Sequence, residues 1–323
     1  MFNTFVPKKF CREFVLLRGH SLQLASIMAV IQGHKPCLDD WVACSKLAEY
    51  EKICRRYGLS CKVDAVFRCV PPSRIGARVV GAERLTTTHA YGLPWSPAVT
   101  AGTVHVFIAR SRAKLEACWR SGWYPLVIKG RVVEKPQIDI HRFGAALGYP
   151  ACCRDFFRLR NNWFFFNFLY EVFKNSGTGP YPFLCNPLTR DETYSYLSHM
   201  PCSFACASSL ALARRIRSGI KAEEPAFAAA IDRHLRLPLL VFRERWIYAF
   251  EGVLKGQRLT YGKVAYVGNQ DEGAAYLDDF KRGDSLRVDA DTVAVLKRGR
   301  TIKKIAWGAR QDAHGRPFLI AFR

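Results

Sequence analysis

The sequence predicts an α+β fold in three parts: an N-terminal α/β unit over residues 1–135, a central helical cysteine-motif domain over 136–236, and a small basic β-rich module over 237–323. Three observations predict it. Apolar runs of helical length alternate with short β-type runs in the first third. Helical segments bearing Pro and Cys fill the middle. Short strands separated by Gly or Asp fill the last third. A chain of 323 residues has room for two or three domains.

Residues 20–57 read as helical. HSLQLASIMAVIQ is apolar over a helical length, and LDDWVACSKLAEYEKICRRYG, beyond Gly33 and Pro36, is amphipathic and closed by Gly58. Residues 60–70 (SCKVDAVFRCV) read as a strand stopped by Pro71 and Pro72. TVHVFIARS (103–111) and WYPLVIKG (123–130) read as strands with the helix RAKLEACWRSG between them. In the middle, one helix ends near Gly148 and a second runs from Pro150 to about Lys174. A Gly- and Pro-rich loop follows, and a third helix starts near Pro201 and runs through CSFACASSLALARRIRSGI. From residue 237 onward, LPLLVFRERWIYAFEG, QRLTYGKVAYVG, SLRVDA, TVAVLKRG, TIKKIAWGA and PFLIAFR read as strands of a barrel-like module.

With 49% hydrophobic and 24% charged residues, the composition supports a real core and excludes wholesale disorder. Lys and Arg outnumber Asp and Glu by 49 to 27, a net charge of +22. Such an excess favours polyanionic partners: nucleic acid, an acidic membrane face or an acidic protein. The opening MFNTFVPKKF lacks the apolar core of a secretory signal, and no stretch reaches the ~18 apolar residues of a membrane span. A cytoplasmic protein is expected, whose twelve cysteines are reduced core thiols, metal ligands or reactive groups rather than a disulfide framework.

Two segments carry the distinctive chemistry. GYPACCRDFF (148–157) holds Cys152 and Cys153, SHMPCSFACASS (198–209) holds His199, Cys202 and Cys206, and Cys185 lies in the loop between. In each, a proline stands where a helix is expected to begin. The cysteines then fall in the first turns, where free N–H groups and the helix dipole favour thiolate. Cys202 and Cys206, at i and i+4, are expected on one helical face, about 5–6 Å apart at Cβ. Adjacent Cys152 and Cys153 project about 100° apart, so at least one is an expected ligand, with Cys185 or His199 completing the set. Cys152, Cys153, Cys202, Cys206 and Cys185 together suit an iron–sulfur cluster or zinc. Their spacing matches no common zinc finger, and a cluster accepts it more easily. Cys11, Cys37, Cys44, Cys54, Cys61 and Cys69 have no metal-like spacing and read as core.

The pair GYP-x-CC-x-x-FF and H-x-PCS-x-x-C-x-S resembles a family of bacterial and archaeal conserved domains of unknown function, over roughly residues 139–215. The resemblance implies that Cys152, Cys153, Cys202 and Cys206 act as one site. It implies no particular reaction or metal.

Arg214, Arg215 and Arg217 follow the second motif and, with His199, are the candidate substrate-binding residues. They and the C-terminal cations Lys281, Arg282, Arg287, Lys297, Arg298, Arg300, Lys303, Lys304 and Arg310 would track phosphates, while Trp246, Tyr248, Tyr261, Tyr266 and Trp307 would stack bases. His89 reads as a loop or strand histidine, and His105, between Val104 and Val106, gives its strand a polar face. Phosphate-loop, dinucleotide, metalloprotease and serine-hydrolase motifs are absent, as is the C-x-x-x-C-x-x-C pattern of radical enzymes. Three readings stay open. One is an enzyme with a Cys-ligated metal centre, iron–sulfur before zinc, acting on a nucleic acid or nucleotide-like substrate by redox or sulfur chemistry. The second is a nucleic-acid-binding protein with a structural zinc. The third is a metal-free thiol-redox protein with Cys152 or Cys153 as nucleophile.

Overall fold

A computed structural model describes residues 7–18, 23–69, 90–93, 96–121, 126–128, 131–133, 140–160, 168–189, 194–243, 246–267, 276–289, 292–306 and 316–323. The class is α+β, with two separate sheets. The chain divides into two compact units, Cys11–Arg154 and Met1–Phe10 with Asp155–Arg323. The division falls among the central helices, between Arg154 and Asp155. Those beyond Asp155 share a core with the C-terminal strands, because Phe168, Leu169 and Val172 pack with Leu239, Val241, Ile247 and Ala249.

The first unit holds α1 (Arg12–Arg18), α2 (Leu24–Ile31), β1 (Leu38–Ala43), α3 (Leu47–Arg56), β2 (Ser60–Cys69), β3 (Ala90–Leu93), β4 (Thr103–Ala109), α4 (Arg112–Ser121), β5 (Leu126–Ile128), β6 (Arg131–Val133), α5 (Ile140–Ala146) and the start of α6 (Ala151–Arg160). Its sheet has the order β1-β4-β2-β3-β5-β6, antiparallel except at β3–β5. Because β4 opposes β2, β2 opposes β3 and β3 parallels β5, strands β4 and β5 run the same way. The strand–helix–strand pattern is present, but its crossover passes two strands. The expected helix over 38–43 is a strand instead. Leu38, Asp40 and Val42 alternate inward and every residue pairs with β4, which satisfies the backbone better than an isolated helical turn would. Helical periodicity begins at Leu47, where Leu47, Tyr50, Ile53 and Cys54 form the buried face of α3; Gly58, at φ +68°, follows its end.

The second unit contains α7 (Phe168–Asn175), α8 (Ala207–Glu223), α9 (Pro225–Leu235), β7 (Leu239–Arg243), β8 (Trp246–Lys255), β9 (Arg258–Tyr266), α10 (Leu277–Arg282), β10 (Ser285–Val288), β11 (Thr292–Lys297), β12 (Arg300–Ala306) and β13 (Phe318–Ile320). Its sheet runs β12-β11-β10-β9-β8-β7-β13 and keeps two edges, so among the described residues it is open rather than barrel-like. Strands β7 and β8 read as unbroken apolar runs because both faces are covered. Leu239, Val241, Ile247 and Ala249 face one core; Leu240, Phe242, Tyr248 and Phe250 face another. The single helix expected from Pro150 to Lys174 is seen as α6 and α7; residues 161–167 between them, like His89, Trp307 and Arg310, lie outside the described residues. Among the described residues, no helix is long and apolar enough to cross a membrane.

Candidate metal centre

The first motif is a helix–turn–helix corner. Helix α5 ends in a Schellman turn: the Gly148 N–H donates to the Ala145 carbonyl at 2.9 Å and the Tyr149 N–H to the Gly144 carbonyl at 2.8 Å. Gly148 sits at φ +81°, and a Cβ there would lie 2.6 Å from Pro36 Cδ, so only glycine fits. Pro150 then opens α6, its carbonyl accepting from the Arg154 N–H at 3.1 Å. The Arg154 guanidinium ties the corner together, donating to the carbonyls of Tyr149 (3.1 Å) and His141 (2.9 Å). Cys152 and Cys153 occupy the first turn of α6, as expected, with Cys152 exposed and Cys153 buried.

The second motif departs from expectation. Helix α8 begins at Ala207, not near Pro201, so Cys202 and Cys206 do not share a helical face. Residues 201–206 form a turn closed by the Cys206 N–H to the Ser203 carbonyl (3.0 Å) and the Ala205 N–H to Ser203 Oγ (3.1 Å). A Ser after the cysteine bonds its own backbone two residues on and competes with the helix. Cys206 is the N-cap of α8, its Sγ accepting from the Ser209 N–H at 3.5 Å. Helix α7 pins the turn from its C-terminal end. Asn175 Nδ2 donates to the Cys202 carbonyl at 2.9 Å, and Ser176 Oγ accepts from the Phe204 N–H at 2.8 Å. Phe204, fully buried against Tyr181 and Phe322, anchors the turn in the core.

These turns bring together four of the five candidate ligands. The sulfurs of Cys152, Cys153, Cys202 and Cys206 all lie within 4.8 Å of one another, with Cys152 and Cys153 3.9 Å apart. Two are buried, Cys202 is half-buried and Cys152 is exposed. Cys185 is not in the group. Its buried thiol donates to the Cys206 carbonyl at 3.7 Å. Burial, and then the charge of Cys206, push that thiol up to about 12. His199 Nε2 lies 2.9 Å from Ser209 Oγ, which makes it a neighbour of the Cys206 cap. Arg217 forms a bidentate pair with Asp232 (Nη2 to Oδ2, 2.6 Å), joining α8 to α9. Arg214 and Arg215 are exposed.

Of the six first-unit cysteines read as core, Cys11, Cys37 and Cys54 are buried and Cys44 and Cys61 half-buried, while the side chain of Cys69 lies outside the described residues. Hydrogen bonding with Cys54, and then burial, push the Cys61 thiol well up, which keeps it protonated. A polar cluster in this unit was not read from the sequence. His105, fully buried on β4, has Nδ1 3.2 Å from Asp64 Oδ2 and Nε2 3.5 Å from Asp39 Oδ2. Buried Lys35 lies nearby, brought down to about 8 by burial, with Asp39 opposing the shift. The LDD run and the polar face around His105 were its only signals.

Fold and site together define an α+β protein with a four-cysteine cluster set on the first turn of α6, the N-cap of α8 and the turn before it. Comparison of the chain with protein-family models, with curated proteins and with solved structures finds no match.

Proposed function

We propose that Cys152, Cys153, Cys202 and Cys206 bind one metal ion as four thiolates, with zinc the first choice. The observation that carries this is the mutual approach of the four sulfurs to within 4.8 Å. A tetrahedral ion with metal–sulfur bonds of ~2.3 Å sets its sulfurs about 3.8 Å apart, so a small contraction suffices. A polynuclear iron–sulfur cluster distributes its cysteines over several irons and spreads them further. The sequence alone favours that cluster; the sulfur separation favours the single ion. Four protein ligands leave no open position, which supports a structural role over a hydrolytic one. The capping N–H of Ser209 and the dipole of α8 supply positive potential that offsets the charge of four thiolates.

The test is elemental analysis of protein purified without oxygen. One zinc per chain is expected, lost in Cys202→Ala and Cys153→Ala but kept in Cys54→Ala. Several irons with matching sulfide would replace the single ion by a cluster. A chain that takes up neither metal, and carries one unusually acidic thiol, would instead be a thiol-redox protein.

A further inference from the structure

The strand register of the second unit lines up its cations. Lys255 on β8 stands opposite Arg258 on β9, Arg258 opposite Arg287 on β10, Arg287 opposite Ala294 on β11, and Ala294 opposite Lys304 on β12. Residues directly opposite in a ladder project to the same face. The alternate residues Leu254, Leu259, Leu286, Val288, Val293, Val295 and Ile305 pack in the core, so the row lies on the other side. All four cations are exposed. They span four strand intervals, about 19 Å at ~4.8 Å per strand. Lys297, Arg298 and Arg300, in and beside the β11–β12 hairpin, are exposed as well. Asp289, paired with Arg287 at 3.2 Å across an exposed contact, takes little from this charge.

Like charges placed directly opposite each other destabilise a sheet, and here two consecutive pairings, Lys255–Arg258 and Arg258–Arg287, do so. Folding gains nothing from the arrangement; a bound polyanion would. We propose that this face binds the phosphate backbone of a double-stranded nucleic acid without reading its sequence. The described aromatics of these strands, Trp246, Tyr248, Phe250, Tyr261 and Tyr266, pack on the core side, so the face offers neither a base-stacking platform nor an interfacial anchor for lipid. A charged row without aromatics suits the outside of a duplex.

The test is fluorescence anisotropy of a short labelled DNA duplex titrated with the full-length protein. Binding is expected at about 50 mM salt, weakening linearly on logarithmic axes towards about 200 mM. Arg258→Ser with Arg287→Ser should reduce affinity about tenfold and flatten the salt slope by about two, with an unchanged or higher melting temperature and unchanged metal content. Lys304→Ser, on the edge strand, is the single-site variant that needs no relief of repulsion, and it should lower the slope by about one. Absence of duplex binding, equal binding by the variants, tighter binding of the matching single strand, or preferential binding to phosphatidylserine vesicles would each overturn the proposal. The metal content reports on the cysteine centre separately, so either reading can fail alone.

Discussion

His105 shows what one buried ring must satisfy. Burial works against its charge, but bonds to Asp39 and Asp64 and the charges of both carboxylates outweigh that, so its pKa is raised above the ordinary 6.5. A raised histidine contributes stability that is complete below 6.5 and is lost as pH rises through the folded-state value. Lys35 works in the opposite direction. Its lowered pKa means that stability grows as pH rises from about 8 to 10.5. Denaturant melts should therefore show wild type weakening from pH 6.5 towards 8, while His105→Phe shows no such decline and is less stable at pH 6 by about 3 kcal/mol, because the buried carboxylate of Asp64 and the partly buried one of Asp39 lose their partner. A pH-independent difference between the two proteins would refute the assignment. Asp64 was invisible in the sequence because its orientation comes from a bulge: the register of β2 on β4 slips between Val63 and Ala65. Cys152, Cys153, Cys202 and Cys206 were visible because their spacing and flanking prolines have chemical meaning on their own.

At the scale of elements, turns decide where the cysteines point. The α5–α6 corner depends on Gly148, which combines a left-handed φ with contact against Pro36. Gly148→Ala should cost about 2 kcal/mol in urea melts and weaken metal uptake, since the same corner aims Cys152 and Cys153. Unchanged uptake in a destabilised variant would separate the corner from the centre. The α8 start misled the sequence reading because Pro201 looks like a first helical residue; Ser203 closes a local turn first, and capping passes to Cys206. Strand β1 misled it in another way. LDDWVA is short and carries no strand-breaking signal, so its state is set by the ladder to β4, six residues long and far away in sequence. Strands β7 to β12 were legible because their β-branched runs are separated by turn residues, but their closure was not, since which strand meets β7 depends on where Phe318–Ile320 returns.

The whole molecule carries its charge and its thiols on different terms. The four cysteines meet only in the folded chain, so the proposed centre would link metal binding to folding. Removing the ion with a strong chelator should lower the melting temperature, and equimolar Zn(II) should restore it; a melting temperature indifferent to both would refute that linkage. Acid should release the ion as the thiolates take up protons.

Cys152 alone of the four cysteines is exposed. Of the four, an alkylating reagent would reach it first, and a bound ion would slow that reaction by drawing negative charge from the sulfur. Brief labelling followed by weighing of the peptide that carries Cys152 would therefore serve as an occupancy gauge: an unmodified Cys152 marks the filled protein and an alkylated one the empty.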